Sequence, residues 1–146
     1  MFAHVLVCAD GSEPSLKAVQ VAANLAKRCD ALVTLLYVFD SRANAIPLDA
    51  AGDALLSPDA LAYYRHEAQA SVDLPAGRLF TEAGRAYQWR FEVGYPTEKI
   101  LEVADQMQAD LIVLGCRGLG GFQRLLLGSV SDGVLHHAHC SVMVVR

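Results

Sequence analysis

The amino-acid sequence predicts a single-domain α/β fold, with five parallel strands in one sheet and helices on both of its faces. Three observations support this class. Five short apolar or alternating segments are separated by stretches with helical periodicity, which is typical of a parallel sheet with right-handed crossovers. The first, second and fourth of these segments are almost continuously apolar, as strands buried on both faces are. The length of 146 residues and the hydrophobic content of 53% suit one domain.

The N-terminal part of the chain contains two predicted strands and the helix between them. The segment HVLVCA, at about residues 4–9, predicts a buried strand, and ALVTLLYVF, at 31–39, predicts the second. Between them, Ser12 can cap a helix, and Pro14 is tolerated in its first turn. The apolar face of this helix repeats at helical spacing, at Leu16, Val19, Ala23 and Ala26.

The middle of the chain predicts a long helix, an edge strand and a further helix. The first helix should begin near Pro58 and include DALAYYRHEAQASV, but Pro75 and Gly77 leave its end undefined. The segment YQWRFEV, at 87–93, then alternates apolar and polar residues, which indicates a strand with one exposed face at an edge of the sheet. In YPTEKILEVADQM, Pro96 suits the first position of a helix. Its apolar positions have helical spacing: Ile100, Val103, Ala104 and Met107.

The C-terminal part predicts the last two strands around a glycine-rich segment. DLIVLG forms the fourth strand, GCRGLGGFQRLLLGS follows it, and a helix begins at about Ser129. The fifth strand is SVMVV, Ser141–Val145. If it closes the second edge of the sheet, it is too apolar to remain open, because such an edge favours pairing with another chain. We therefore expect a homodimer formed through this strand.

Composition and charge exclude several classes of protein. The net charge of −4 argues against nucleic acid or an anionic membrane as the main partner, since both attract basic surfaces. The N-terminus has no basic region before its apolar run, and no apolar segment approaches the roughly 18 residues of a membrane-spanning helix. The four cysteines are scattered, without a C-x-x-C pair, and are expected to be reduced thiols. These features predict a cytoplasmic protein.

The glycine-rich segment lies where ligands bind in open parallel sheets, at the carboxyl end of a strand near the reversal of winding. If strands 1 and 4 are neighbours, Asp10 and Gly115 lie side by side there. Glycines let the backbone approach a ligand, and Gly128-Ser129 begins a helix whose N-terminus favours an anion. The hydroxyls of Ser129 and Ser131 could donate to phosphate oxygens. On these grounds alone, phosphate binding and a flexible surface loop are equally open; no P-loop and no complete G-x-G-x-x-G is present.

The spacing of three glycines and a serine is more specific. Gly115-x2-Gly118-x9-Gly128-Ser129 resembles the G-x2-G-x9-G-[ST] signature of ATP-binding universal stress proteins. The resemblance covers nearly the whole chain: VLVCADGSEPSLKAV, LLYVFD and the C-terminal half from DLIVLG to SVMVV are similar to the corresponding family segments, whereas residues 40–85 match only loosely. It implies a flavodoxin-like sheet of order 3-2-1-4-5, a dimer through the fifth strand and one ATP per subunit.

The resemblance also assigns roles to residues of this chain. Asp10 would hold the ribose, the backbone of Val38 would contact the adenine edge, and Mg2+ would bridge phosphate oxygens. Apart from the resemblance, the positive charge of Arg117, and with less support that of Arg124, could screen phosphates; the alternative is that both are surface residues. Cys116 stands where the family often has serine. The predicted nucleotide-binding residues are Asp10, Val38, Gly115, Arg117, Gly118, Gly128, Ser129, Val130 and Ser131.

The sequence lacks the groups that rapid ATP chemistry needs. No P-loop lysine, no second carboxylate beside Asp10 and no G-x-S-x-G nucleophile elbow is present. We therefore expect a nucleotide-dependent sensor or regulator of the stress response, with little or no turnover and a protein partner that the sequence does not identify. Two alternatives remain: an adenylating enzyme, although the S-G-G-x-D-[ST] loop of that class is missing, and an interaction dimer without nucleotide.

Two local motifs have competing interpretations. HHAHC, at 136–140, could bind zinc, but only some of its side chains share a helix face, and histidines near a helix C-terminus interact favourably with its dipole. We therefore expect these histidines to stabilise the C-terminal end of the helix and not to bind a metal ion. Cys116 could be a redox-sensitive thiol near a helix N-terminus, and the expected reading is a small residue that replaces serine in the loop.

Overall fold

The computed structural model describes residues 1–51, 53–116 and 127–146. Five parallel strands form one sheet of order β3-β2-β1-β4-β5, which confirms the predicted class and strand order. The strands are β1 (His4–Cys8), β2 (Leu32–Asp40), β3 (Gln88–Gly94), β4 (Leu111–Gly115) and β5 (Ser141–Val145). The predicted strand ends differ from these by at most one residue, because buried apolar runs mark central strands clearly.

Helices cover both faces of the sheet. They are α1 (Glu13–Cys29), α2 (Pro58–Ala68), α3 (Leu74–Ala83), α4 (Pro96–Gln106) and α5 (Ser129–His137). On one face, α1 and α3 pack against β1, β2 and β4 around Val19, Phe80 and Leu35. On the other face, α4 and α5 enclose a second core around Ile100 and Val134. Within the described ranges, no helix is long and apolar enough to cross a membrane.

Helix α1 begins and packs as its sequence indicates. The Oγ atom of Ser12 accepts the N–H of Ser15 at 3.4 Å, and Pro14 lies in the first turn. The buried face is a stripe of small residues, Ser15, Ala18, Val19, Ala22, Ala23 and Ala26. Leu16, which was predicted on this face, is only half-buried. Small side chains let the helix approach the sheet closely, so that alanines carry most of this contact.

The helical segment after Pro58 continues past the point where Pro75 left its end undefined. A single π turn, Gln69–Asp73, joins α2 to α3. A proline cannot donate to the carbonyl four residues before it, and its ring crowds that carbonyl, so a wider turn directly before Pro75 accommodates it. Gly77 is needed for packing, since a Cβ atom there would lie 2.8 Å from Oη of Tyr87.

The two edge strands differ in how they are covered. The apolar residues Tyr87 and Trp89, on and beside β3, pack against the core shared with α1 and α3. The polar face of β3 is less exposed than predicted. Nε of Arg90 lies 2.8 Å from Oε1 of Glu92, and Nη2 of Arg90 donates to Oε1 of Gln106, on α4, at 2.7 Å. The other edge, β5, carries half-buried apolar side chains.

Candidate functional site

The candidate site lies at the carboxyl ends of β1, β2 and β4. Strand β1 pairs with β2 on one side and with β4 on the other, so the winding of the chain reverses between β1 and β4. Cys8 lies opposite Leu114 in the register. Asp10 therefore follows the end of β1 and Gly115 ends the adjacent strand β4, side by side as the sequence predicted, at the switch point where open α/β sheets bind their ligands.

The turn after β1 holds the Asp10 carboxylate in place. Its Oδ1 atom accepts the N–H of Ser12 at 2.9 Å, and the N–H of Asp10 donates to Oγ of Ser15 at 3.3 Å. Oγ of Ser15 in turn donates to the carbonyl of Ser12 at 2.9 Å. Gly11 has a φ of +88°, which favours glycine. This turn, together with the start of α1, holds the Asp10 carboxylate in place at the carboxyl end of the sheet.

Gly115 is required by packing within the chain. A Cβ atom at this position would lie 2.7 Å from the carbonyl carbon of Pro14 and 2.8 Å from the nitrogen of Ser15. These are backbone atoms of the first turn of α1, and they cannot rotate away. The sequence pattern assigned this glycine to the approach of a ligand; the structure adds a role within the chain, because the missing side chain lets β4 contact the N-terminus of α1.

The two ends of the glycine-rich segment are joined by main-chain and side-chain hydrogen bonds. Gly128 donates its N–H to the carbonyl of Cys116 at 2.6 Å. Oγ of Ser131 lies 3.0 Å from both the Cys116 and the Gly128 carbonyls, and Ser131 is 2% exposed. Ser131 therefore closes the base of the segment. Cys116 is also buried, which favours the small loop residue over the redox-sensitive thiol.

We expect Ser131→Ala to lower the free energy of unfolding by about 1–2 kcal/mol, because it removes a buried hydroxyl that serves two carbonyls. Urea denaturation followed by circular dichroism measures the change. Ser129→Ala is the matched control, since Ser129 is exposed at the start of the same helix. Its stability should change by less than about 0.5 kcal/mol. Equal losses in the two variants would contradict this role of Ser131.

The N-terminus of α5 faces the same region. Gly128 is its N-cap, in an extended conformation with φ −73° and ψ 164°, and no described side chain caps it. Ser129 is exposed and Val130 half-buried. Among the described residues, no side chain occupies the first N–H groups of the helix, and the helix dipole favours an anion there. Three predicted residues, Arg117, Gly118 and Arg124, lie outside the described residues.

The backbone of Val38 is also open toward this site. Leu36 accepts the N–H of Ala9, so its main-chain groups face β1. Main-chain groups alternate along a strand, and those of Val38 face the same way. The pairing of β1 with β2 ends at Cys8 and Leu36. The N–H and C=O of Val38 therefore extend past the last residue pair of β1, toward the end of the sheet where Asp10 lies.

The sequence interpretation missed two groups near this carboxylate. Ser15, inside the first turn of α1, braces the turn from a buried position. Tyr37 lies close enough for an electrostatic effect: burial, and then the negative charges of Asp10 and Asp40, raise the pKa of its hydroxyl above the usual range. A polar residue in the first turn of a helix could have indicated Ser15, but no pattern in the sequence places Tyr37 near Asp10.

The histidines at the end of α5 satisfy the helix. Nδ1 of His136 lies 2.8 Å from the carbonyl of Asp132, and Nδ1 of His137 lies 2.8 Å from that of Gly133. A carbonyl only accepts, so Nδ1 carries the proton in both rings. In the part of the chain that the structure describes, no group of three or more histidine, cysteine or acidic side chains could hold a metal ion. The contacts of His136 and His137 with helix carbonyls agree with the interpretation of HHAHC as residues that stabilise the helix end.

Comparison with known proteins gives one family. The model of the universal stress protein family matches residues 1–146. A universal stress protein of Methanocaldococcus jannaschii is 36% identical over 146 residues, which cover 100% of this chain and 83% of that protein. Universal stress protein UspA from Lactobacillus plantarum is similar in structure, with a TM-score of 0.73, 30% identity and coverage of 99% of this chain and 97% of that chain.

A further solved structure is of a universal stress protein in complex with cAMP. It has a TM-score of 0.72 and 27% identity to this chain, and the match covers 99% of this chain and 97% of that one. The full-length family match and the 36% identical relative agree with the resemblance in the sequence. The chain belongs to the universal stress protein family.

Proposed function

We propose that this universal stress protein binds ATP at the carboxyl end of its sheet and acts as a nucleotide-dependent sensor or regulator in the stress response, with little or no turnover. One observation carries the proposal. Three features converge at the switch point of the sheet: a braced carboxylate, strand backbone beyond the last residue pair of β1, and a helix N-terminus that no described side chain caps. The related protein that is 27% identical and was solved with cAMP supports an adenine nucleotide as the ligand.

Each of these groups suits one part of ATP. The N–H and C=O of Val38 can pair with the donor and acceptor on the adenine edge. The carboxylate of Asp10 can accept from ribose hydroxyls. The first turn of α5 can hold phosphates, and Mg2+ bound together with ATP would offset part of their negative charge. The proposed site comprises Asp10, Val38, Gly115, Arg117, Gly118, Gly128, Ser129, Val130 and Ser131, of which Gly115 and Ser131 shape the loop from within.

The described residues around this site favour binding over catalysis. A second carboxylate, Asp40, ends the adjacent strand β2, and its Oδ1 atom accepts the N–H groups of Arg42 and Ala43 at 2.9 and 3.2 Å. It is therefore occupied in capping its own turn. Phosphoryl transfer needs a positioned nucleophile and compensated charge, and ATP here would serve as a bound signal. We place this activity in the cytoplasm, with a protein partner that responds to the bound state.

A homodimer through β5 is part of the proposal. The N–H of Cys116 donates to the carbonyl of Val145, so the main-chain groups of Val145 face β4. Because these groups alternate, Val142 and Val144 present theirs to the outer edge of the sheet. The side chains of β5 are apolar and half-buried. An apolar edge with open main-chain groups is suited to antiparallel pairing with a second copy.

We expect Asp10→Asn to weaken ATP binding roughly 10- to 100-fold, because hydrogen bonds to a charged group contribute about 1.5–3 kcal/mol. Asparagine retains an oxygen for the N–H of Ser12, so the turn is preserved. Isothermal titration calorimetry measures the change. Asp40→Asn makes the same substitution at the end of β2 and should leave the affinity within about twofold. If both variants bind like the parent, Asp10 does not contact the nucleotide.

The ligand itself can be identified from freshly purified protein. We expect denaturation to release ATP, identified by chromatography and mass spectrometry. The same preparation, incubated with ATP, should release negligible phosphate. Rapid ATP–pyrophosphate exchange in the presence of an acyl acceptor would favour the adenylating enzyme instead. An absence of both bound nucleotide and ATP affinity would favour an interaction dimer.

A further inference from the structure

A second concave surface lies at the opposite end of the sheet from the proposed ATP site. This groove separates the C-terminal end of α4 from the turn between α5 and β5, and its volume is about 220 Å³. Small-molecule sites are usually larger, about 300–1,000 Å³, so the groove has the size for a single side chain. Its lining includes Leu101, Ala104, Asp105, Ala138, His139 and Cys140.

The groove has an apolar floor and an acidic rim. Asp105 stands at the rim with 65% of its side chain exposed, and its carboxylate is 3.9 Å from Nδ1 of His139. Burial, and then the negative charges of Asp105 and Asp110, raise the pKa of the Cys140 thiol. Two carboxylates thus act on the same small volume. A side chain with an apolar stem and a cationic end matches this combination.

The proposed dimer determines which part of a second copy reaches the groove. A two-fold axis normal to the sheet pairs each β5 residue with one whose side chain lies on the same face. Centring the axis on Met143 pairs the whole of β5, Ser141–Val145, with its copy. In this register Val142 lies opposite the partner subunit's Val144, so that the outward main-chain groups meet. Two residues further along, Cys140 lies opposite the partner subunit's Arg146.

Arg146 follows β5 on the correct face. Val142 packs in the core under α4 and α5, whereas Met143 and Val145 pack in the other core. By this alternation Arg146 projects on the side of Val142, which is also the side of the groove. Residues paired in this way have Cα atoms about 5.5 Å apart, so an arginine opposite Cys140 is within reach of Asp105.

We propose that each groove receives the partner subunit's Arg146, whose stem covers the apolar floor and whose guanidinium pairs with Asp105. This inference rests on the homodimer in the proposed function. It gives the dimer two symmetric ion pairs, one on each side of the two-fold axis, and it fixes the register of the β5 pairing. The groove is thereby part of the subunit interface, distinct from the ATP site at the other end of the sheet.

A charge-swap experiment tests this contact. The dimer dissociation constants of the full chain, Asp105→Arg, Arg146→Asp and the double variant are measured by analytical ultracentrifugation over a dilution series. We expect each single variant to weaken the dimer roughly tenfold or more, because each alters two symmetric contacts. The double variant restores the pairs with reversed charge and should return to within about twofold of the parent. Glu82→Arg, at an exposed position on α3, controls for the change in net charge.

The outcomes distinguish a failure of the Arg146–Asp105 contact from a failure of the homodimer or of the proposed ATP binding. Single-variant effects that simply add in the double variant would overturn the Arg146–Asp105 contact while leaving the dimer intact. A parent chain that is monomeric at all concentrations would overturn both. ATP affinity is measured on the same samples and should be equal in all of them, because the groove is remote from the nucleotide site. If the parent chain does not bind ATP, the result would instead contradict the proposed function.

Discussion

The Gly115→Ala variant is expected to lose about 3 kcal/mol of unfolding free energy and to lose ATP binding. The added Cβ atom would lie within 2.7–2.8 Å of the backbone of Pro14 and Ser15. Overpacking in a well-packed region costs about 1–3 kcal/mol, and we expect the upper end because neither neighbour can change rotamer. Either β4 or the first turn of α1 must move, and both carry parts of the proposed site. Urea denaturation and calorimetry with ATP measure the two effects.

Gly84→Ala provides the matched control for this substitution. Gly84 ends α3 with a φ of +68°, but a Cβ atom there meets nothing within 4 Å. The cost should be limited to the left-handed conformation, about 1 kcal/mol, with ATP affinity unchanged. A Gly115→Ala variant as stable as Gly84→Ala would show that the contact between β4 and α1 is looser than the structure indicates.

The second large effect concerns the dimer. We expect Val144→Pro to weaken subunit association roughly 100-fold without unfolding the chain. The N–H of Val144 faces the outer edge, so a proline there preserves the ladder to β4 but removes two symmetric intersubunit hydrogen bonds, each contributing about 1–1.5 kcal/mol. Sedimentation velocity measures the association, and circular dichroism confirms that the fold is retained.

Met143→Pro is the control one residue away. Its N–H faces β4, and Met143 lies opposite Val113 in the register. A proline at this position should therefore disrupt the sheet and lower the stability of the subunit itself. If Val144→Pro remains as strongly associated as the parent, the dimer does not form through β5. If both prolines destabilise the subunit equally, the assignment of inward and outward main-chain groups is wrong.

Local signals in the sequence were sufficient for the fold class and the approximate ends of the strands, whereas the strand order followed from the resemblance to the family. Central strands are marked by continuous apolar runs, and capping residues such as Ser12 mark the starts of helices. Each of these signals is local in the sequence. The passage from α2 to α3 was not predictable in the same way. Pro75 ordinarily ends a helix, and the π turn directly before it is what accommodates the proline so that the chain continues as a helix.

The location of the candidate site was predictable from the sequence, but the structural role of each residue in it was less so. The spacing of the glycines identified the family and located the segment after β4. It could not distinguish a glycine that contacts a ligand from one that contacts α1, because both need a missing side chain. Ser131, predicted near the phosphates, is buried, and its hydroxyl lies within hydrogen-bond distance of the carbonyls of Cys116 and Gly128. Such distinctions depend on tertiary contacts.

The most direct test of the account is a titration of the purified, nucleotide-free protein with ATP, with and without Mg2+, together with a measurement of phosphate release. We predict one ATP bound per chain with a micromolar Kd, tighter binding in the presence of Mg2+, and negligible phosphate release over the time of the titration. Failure to bind ATP at millimolar concentration by a folded, nucleotide-free chain would contradict the central claim.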